Sequence, residues 1–116
     1  MHEITITCAL MKVVSEEAQR RGGGRVTEIA MTIGGLQGIE PAVLESSFSL
    51  LAENTIMAGA QLRINQLPVR VFCRQCDSIL VADARFRCGS CHGNDVRIQP
   101  SEGMTVDEIV ICACDA

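Results

Sequence analysis

Four cysteines stand in two pairs, Cys73-Arg-Gln-Cys76 and Cys88-Gly-Ser-Cys91, with eleven residues between the pairs. Two residues between thiols form a turn tight enough for both sulfurs to reach one ion. Two such turns facing each other complete a tetrahedral thiolate set, which suits Zn(II) or iron. Nothing in the sequence suggests electron transfer, so zinc is the expected ion. The alternative is two separate redox C-x-x-C motifs, but those usually stand singly at a helix start after a strand. A site closed by four protein ligands leaves no coordination position open for catalysis. Its work is to fold a segment with too little core to fold itself.

The second group with coordination chemistry is the start of the chain, Met1-His2-Glu3. A bulky second residue normally prevents removal of the initiator methionine, so a free α-amine is expected at Met1. That amine, the His2 backbone nitrogen and the His2 imidazole can chelate one ion through fused small rings. Three nitrogens in a plane favour the square-planar geometry preferred by Ni(II) or Cu(II). Glu3 could add a nitrogen or oxygen donor. The ordinary alternative is a frayed, solvated terminus.

The remaining titratable and thiol groups are read more plainly. Cys8 falls on the apolar stripe of the first predicted helix, where a buried, inert thiol is expected. His92 follows the last paired cysteine and is expected to be exposed or to support the zinc site. The competing reading is that it links the zinc knuckle to the N-terminal site. Cys112 and Cys114 occupy same-face positions of a terminal strand and are read as simple thiols.

The chain has 116 residues, 47% of them apolar, a net charge of −4 and only three aromatic residues, all Phe. That suits one compact domain with a mainly aliphatic core and a small appendage. An acidic chain with no basic run and few aromatics is poorly suited to nucleic acid. No apolar stretch approaches membrane-spanning length. The first residues lack the basic start of a signal peptide. A cytoplasmic location is therefore expected, where thiols stay reduced and seven cysteines point to metal rather than disulfides.

The elements that must position these groups follow from periodicity. Residues 4–20 read as a helix whose buried stripe is Ile4, Cys8, Met11, Ser15 and Ala18, flanked by Val14, and three glycines from Gly22 stop it. Residues 25–33 read as a strand with Thr27, Ile29, Met31 and Ile33 on one face. A glycine loop leads to Pro41, which opens a second helix running to about residue 54 with Leu44, Phe48, Leu51 and Ala52 buried. Residues 61–66 form a strand, and Val69 and Val71 resume an extended pattern into the first cysteine pair. Residues 104–111 form the last strand, and a slip in alternation between Val106 and Ile109 predicts a bulge. The fold class is α+β: two helices on a small, mainly antiparallel sheet, with an inserted zinc-ribbon-like four-cysteine subdomain. Residues 1–68 plus about 97–116 are assigned to the first domain and 69–96 to the zinc-binding subdomain.

Together these residues resemble the HypA/HybF family of hydrogenase nickel incorporation proteins. The resemblance is carried by Met1-His2-Glu3-Ile4, Arg25-Val26-Thr27, Ile33-Gly34-Gly35-Leu36 with Glu40-Pro41, Phe48, and Ala58-Gly59-Ala60-Gln61-Leu62. Cys73-x-x-Cys76 and Cys88-x-x-Cys91-His92-Gly93 complete it. It covers residues 1 to about 111.

The resemblance implies a nickel metallochaperone for [NiFe]-hydrogenase maturation, with urease as a further client in some members. It maps a nickel site onto Met1, His2 and Glu3, with Glu40 as a candidate addition near the start of the second helix. It maps structural zinc onto Cys73, Cys76, Cys88 and Cys91. The implied partners are a nickel-binding GTPase, HypB, and the hydrogenase large-subunit precursor. The protein itself is expected to be a monomer or weak homodimer and not an enzyme, with no nucleic-acid or membrane partner. It carries no P-loop. Two features depart from the family pattern: Gly89 stands where many members have proline, and the C-terminal end carries Cys112 and Cys114. The contrasting reading, from another class, is a zinc-ribbon interaction module with one zinc and no nickel site.

Overall fold

The computed structural model describes residues 2–100 and 103–112, with the backbone alone for His2. Two compact units emerge. One comprises Met1–Thr32, Ile39–Asn65 and Met104–Ala116; the other comprises Ile33–Gly38 and Gln66–Gly103. Elements follow in the order α1 (His2–Arg20), β1 (Arg25–Ile33), a 3-10 turn (Gly35–Gln37), α2 (Pro41–Leu51), β2 (Gln61–Gln66), β3 (Arg70–Cys73), β4 (Ser78–Val81), β5 (Val96–Ile98) and β6 (Met104–Cys112). The α+β class with two helices, small sheets and a four-cysteine subdomain is therefore as expected.

In the first unit the strand order is β2-β1-β6. Gly24 lies against the Cys112 carbonyl, Thr27 Oγ1 donates to the Val110 carbonyl and Thr32 Oγ1 to Asp107 Oδ2, so β6 runs antiparallel to β1. α1 packs on α2 and on β6. Most of the buried side chains are apolar, among them Leu10, Val14, Ala18, Ile29, Met31, Leu44 and Met57, with one aromatic, Phe48. In β6 the adjacent Asp107 and Glu108 both face solvent, which places the irregularity where the alternation slips.

Several predicted core positions are corrected. α1 buries Thr7, Leu10, Val14 and Ala18, while Ile4 and Cys8 are exposed. The buried stripe is set by Leu10, Val14 and Ala18, and Thr7 can join it because its hydroxyl donates to the Glu3 carbonyl at 2.7 Å inside the helix. In β1 Val26 is buried and Thr27 exposed, so Thr27 is not part of the core with Ile29, Met31 and Ile33. α2 stops at Leu51 rather than residue 54, Leu51 is exposed, and Asn54 turns the chain in the left-handed region.

In the second unit β3 is central, pairing antiparallel with β4 and β5. Among residues 70–98 only Val71, Cys73 and Cys88 are buried. A segment with so little apolar interior cannot offset its own ordering entropy without a further constraint.

Candidate metal centre

β3 delivers Cys73 at its last residue, and the β3–β4 turn delivers Cys76. The second knuckle follows β4 and is anchored by a bridge between Ala82 and Cys88. There Gly89 leaves room for the Val81 carbonyl, which a Cβ would strike. The glycine at this departure from the family pattern is thus required by a close backbone approach. The Cys88 amide donates to the Gly93 carbonyl and the His92 amide to the Cys88 carbonyl, closing the knuckle.

Among the described residues the structure brings Cys73, Cys76, Cys88 and Cys91 together, with all four Sγ atoms within 4.8 Å of one another. Cys73 and Cys91 sulfurs are 3.7 Å apart, and Cys76 and Cys88 sulfurs 3.8 Å. These separations are far too long for a disulfide, whose sulfurs lie about 2.05 Å apart. A tetrahedron of sulfurs about 2.3 Å from a central zinc has edges of about 3.8 Å. Chemistry and spacing of the donor set therefore fit zinc.

Backbone amides support the charge. The Cys76 amide points at Cys73 Sγ, and the Ser90 and Cys91 amides both point at Cys88 Sγ, each at 3.4 Å. The Cys91 amide, helped by that of Ser90, pulls the Cys88 thiol down to about 6. Cys76 is pushed the other way, up to about 12, by Cys88 first and then by Cys91 and Cys73. One thiolate forms readily and resists the next. A divalent cation at the centre reverses that resistance, so zinc uptake is coupled to proton release.

Each knuckle ends on a residue in the left-handed region, Asp77 at φ 52° and His92 at φ 59°. His92 is exposed, and its Nδ1 lies 3.1 Å from Asp83 Oδ2. Asp83 was not singled out from the sequence. Its carboxylate also accepts the Arg85 and Arg87 amides on Oδ1 and Arg87 Nε on Oδ2. The Arg87 amide, then the His92 ring, hold Asp83 well below the usual carboxylate range. The sequence signal, visible only with hindsight, is an acidic residue four before the basic residue that precedes Cys88.

At the other predicted site, α1 begins at His2; Met1 and the His2 side chain lie outside the described residues. Glu3 Oε2 accepts the Glu40 amide at 3.2 Å, and this contact lowers the Glu3 carboxyl pKa. Glu40 is the N-cap of α2 and makes no side-chain cap of its own. Glu3 therefore caps α2 from α1, and the structure brings Glu3 and Glu40 together. Cys112 is half-buried at the end of β6, and Cys114 lies outside the described residues.

Among the described residues, no helix is long and apolar enough to cross a membrane. The chain is 28% identical over 112 residues to the hydrogenase maturation factor HybF of Salmonella typhimurium, covering 96% of this chain and 99% of that one. It is 37% identical over 93 residues to the hydrogenase maturation factor HypA of Chloroflexus aurantiacus, covering 78% and 82%. Its fold is similar to the solution structure of the nickel metallochaperone HypA from Helicobacter pylori, with a TM-score of 0.63 at 21% identity over 97% of this chain and 99% of that one. Residues 1–111 match the model of the HypA family, described as hydrogenase/urease nickel incorporation, metallochaperone. A four-thiolate cluster suited to zinc and a match that runs from residue 1 to residue 111 converge, and the chain belongs to the HypA family of metallochaperones for nickel incorporation.

Proposed function

We propose that the protein binds Ni(II) at Met1, His2 and Glu3 and passes it on by ligand exchange for insertion into a [NiFe]-hydrogenase. Glu40 flanks the site. The observation that carries this reading is the nickel-incorporation family match, which starts at residue 1 and so includes the Met-His-Glu start. The local backbone supports it. α1 starts at His2, and the first amides of a helix have no intrahelical acceptor, so the His2 nitrogen is not committed to the helix ladder. The positive end of the helix dipole disfavours a cation on neutral donors, and a deprotonated amide supplies the compensating negative charge.

In this reading residues 69–96 form the zinc-binding subdomain, and residues 1–68 plus about 97–116 form the nickel-binding domain. The four-cysteine zinc stays resident while nickel is cargo. The protein has no catalytic role, works in the cytoplasm as a monomer or weak homodimer, and meets two partners, the GTPase HypB and the hydrogenase large-subunit precursor. It needs neither nucleic acid nor membrane.

The test is nickel titration of untagged wild type against His2→Ala. The expected result is a loss of nickel affinity on the order of tenfold or more, about 1.4 kcal/mol or greater, with zinc content unchanged. Extending the chain before Met1 removes the free amine and should weaken nickel similarly. Affinity should also fall as pH drops through the histidine range, because protons compete for the imidazole and the amide. Equal nickel affinity and stoichiometry in His2→Ala and wild type would sink the proposal.

A further inference from the structure

We propose that Asp83 is a positioning residue that braces the second zinc knuckle by holding both of its flanks with one carboxylate. Arg87 immediately precedes Cys88, and His92 immediately follows Cys91. Asp83 Oδ1 accepts the Arg85 and Arg87 amides, both at 2.9 Å. Asp83 Oδ2 accepts Arg87 Nε at 3.0 Å and His92 Nδ1 at 3.1 Å. An ionised carboxylate only accepts, so Nδ1 of His92 carries the proton. The Asp83 amide in turn donates to the Arg87 carbonyl. Its side chain is only 15% exposed, so these bonds are partly shielded from water.

The knuckle needs such a clamp. The directions of the Cys88 and Cys91 sulfurs follow from the backbone between residues 88 and 92. That backbone ends on a non-glycine residue at φ 59°, an uncommon conformation that a firm hold on the flanks stabilises. The first knuckle also ends on a left-handed residue, Asp77, but the charged pair beside it, Arg74 and Asp95, is exposed on both sides with 3.6 Å between charges. Cys88 and Cys91 are therefore held from both flanks within the folded site, while Cys73 and Cys76 are held by their own strand and turn. Asp83 touches neither metal nor thiolate; it acts through the residues on either side.

The inference rests on the four thiolates holding zinc. The test is the rate at which zinc-loaded full-length protein surrenders zinc to an excess of a chelating dye. Asp83→Asn keeps the Oδ1 acceptor but turns an amide donor toward Arg87 Nε and His92 Nδ1. It should release zinc about 10–100-fold faster than wild type. The cobalt-loaded variant should keep its four-thiolate absorption spectrum, since no ligand is removed. Mass-spectrometric alkylation of the zinc-loaded variant should accelerate at Cys88 and Cys91 more than at Cys73 and Cys76, each relative to the same cysteine in wild type.

A general loss of stability would speed all four cysteines alike, and that outcome overturns the proposal. So does zinc release from Asp83→Asn at the wild-type rate. Should Asp83→Asn not fold, Arg87→Gln and His92→Asn carry the test, because each removes one bond and asparagine tolerates the left-handed backbone. Wild-type zinc release from both, in folded protein, overturns it equally. A wild-type chain that takes up no zinc overturns the underlying site itself, and is told apart by metal analysis before any variant is compared.

Discussion

The two units solve the same problem by opposite means. The first unit buries Leu10, Val14, Ile29, Met31, Leu44, Phe48 and Met57 and owes its order to apolar contact. In the second, residues 70–98 bury three side chains, two of them cysteines. Its order comes from sulfur ligands, from a carboxylate clamp and from amides aimed at thiolates. In the proposed reading, the difference explains how one small chain can hold zinc permanently and offer nickel for transfer. A closed thiolate cage inside a unit that depends on it is costly to empty. A helix terminus on a unit with its own core can gain or lose an ion without unfolding.

The largest effect that would break this comparison is removal of zinc. Apparent binding free energies for structural zinc run to about 10–16 kcal/mol in zinc-finger peptides, and here binding and folding of the second unit are one process. Chelation, or Cys88→Ser, should therefore abolish hydrogen-exchange protection in β3, β4 and β5. Helical circular dichroism should survive, because α1 and α2 both lie in the first unit. Loss of the helical signal together with zinc would show that the first unit does not stand on its own core.

Next in size is a cavity in the first unit. Phe48 is 1% exposed on α2, and truncation of such a side chain costs about 3–5 kcal/mol. Phe48→Ala should lower the stability of the helical unit by that order in a denaturant titration while leaving zinc stoichiometry unchanged. A parallel loss of zinc would mean that the cage leans on the aliphatic core.

How much of this was legible in the sequence depended on the range of the interaction. The cysteine pairs are local, and their spacing alone places two sulfurs near one ion. β2 was read at its observed bounds, and the slip in β6 was visible as two consecutive polar residues, Asp107 and Glu108. The inner face of α1 was misread because residue type stood in for satisfied hydrogen bonding. Thr7 can be buried beside Leu10, Val14 and Ala18 because its hydroxyl has a partner one turn back, and on that face Cys8 falls in solvent. Asp83 was not legible at all, because its role depends on a turn that returns Arg87 and His92 to one carboxylate. The donor atoms of Glu3 are legible in the sequence, but its contact with Glu40 spans 37 residues of chain and follows no local rule.

The smallest expected effect lies at Glu3, and it tests how that residue would serve the proposed nickel site. Its carboxylate is already engaged on the Glu40 amide, capping α2. The capped carboxyl ionises more readily in the folded chain than in the unfolded one. Its stabilisation is therefore complete above the ordinary carboxyl pKa and is lost as pH falls through the lowered folded value. Glu3→Gln keeps an oxygen for the Glu40 amide and removes the charge favoured at a helix start. The variant should melt slightly below wild type at neutral pH, and the gap should close in acid. Nickel affinity should barely change if Glu3 contributes its backbone nitrogen, which the substitution leaves intact. A large loss of nickel affinity in Glu3→Gln would instead make the carboxylate the donor. Nickel would then have to draw Glu3 away from Glu40, and loading the N-terminus would uncap α2.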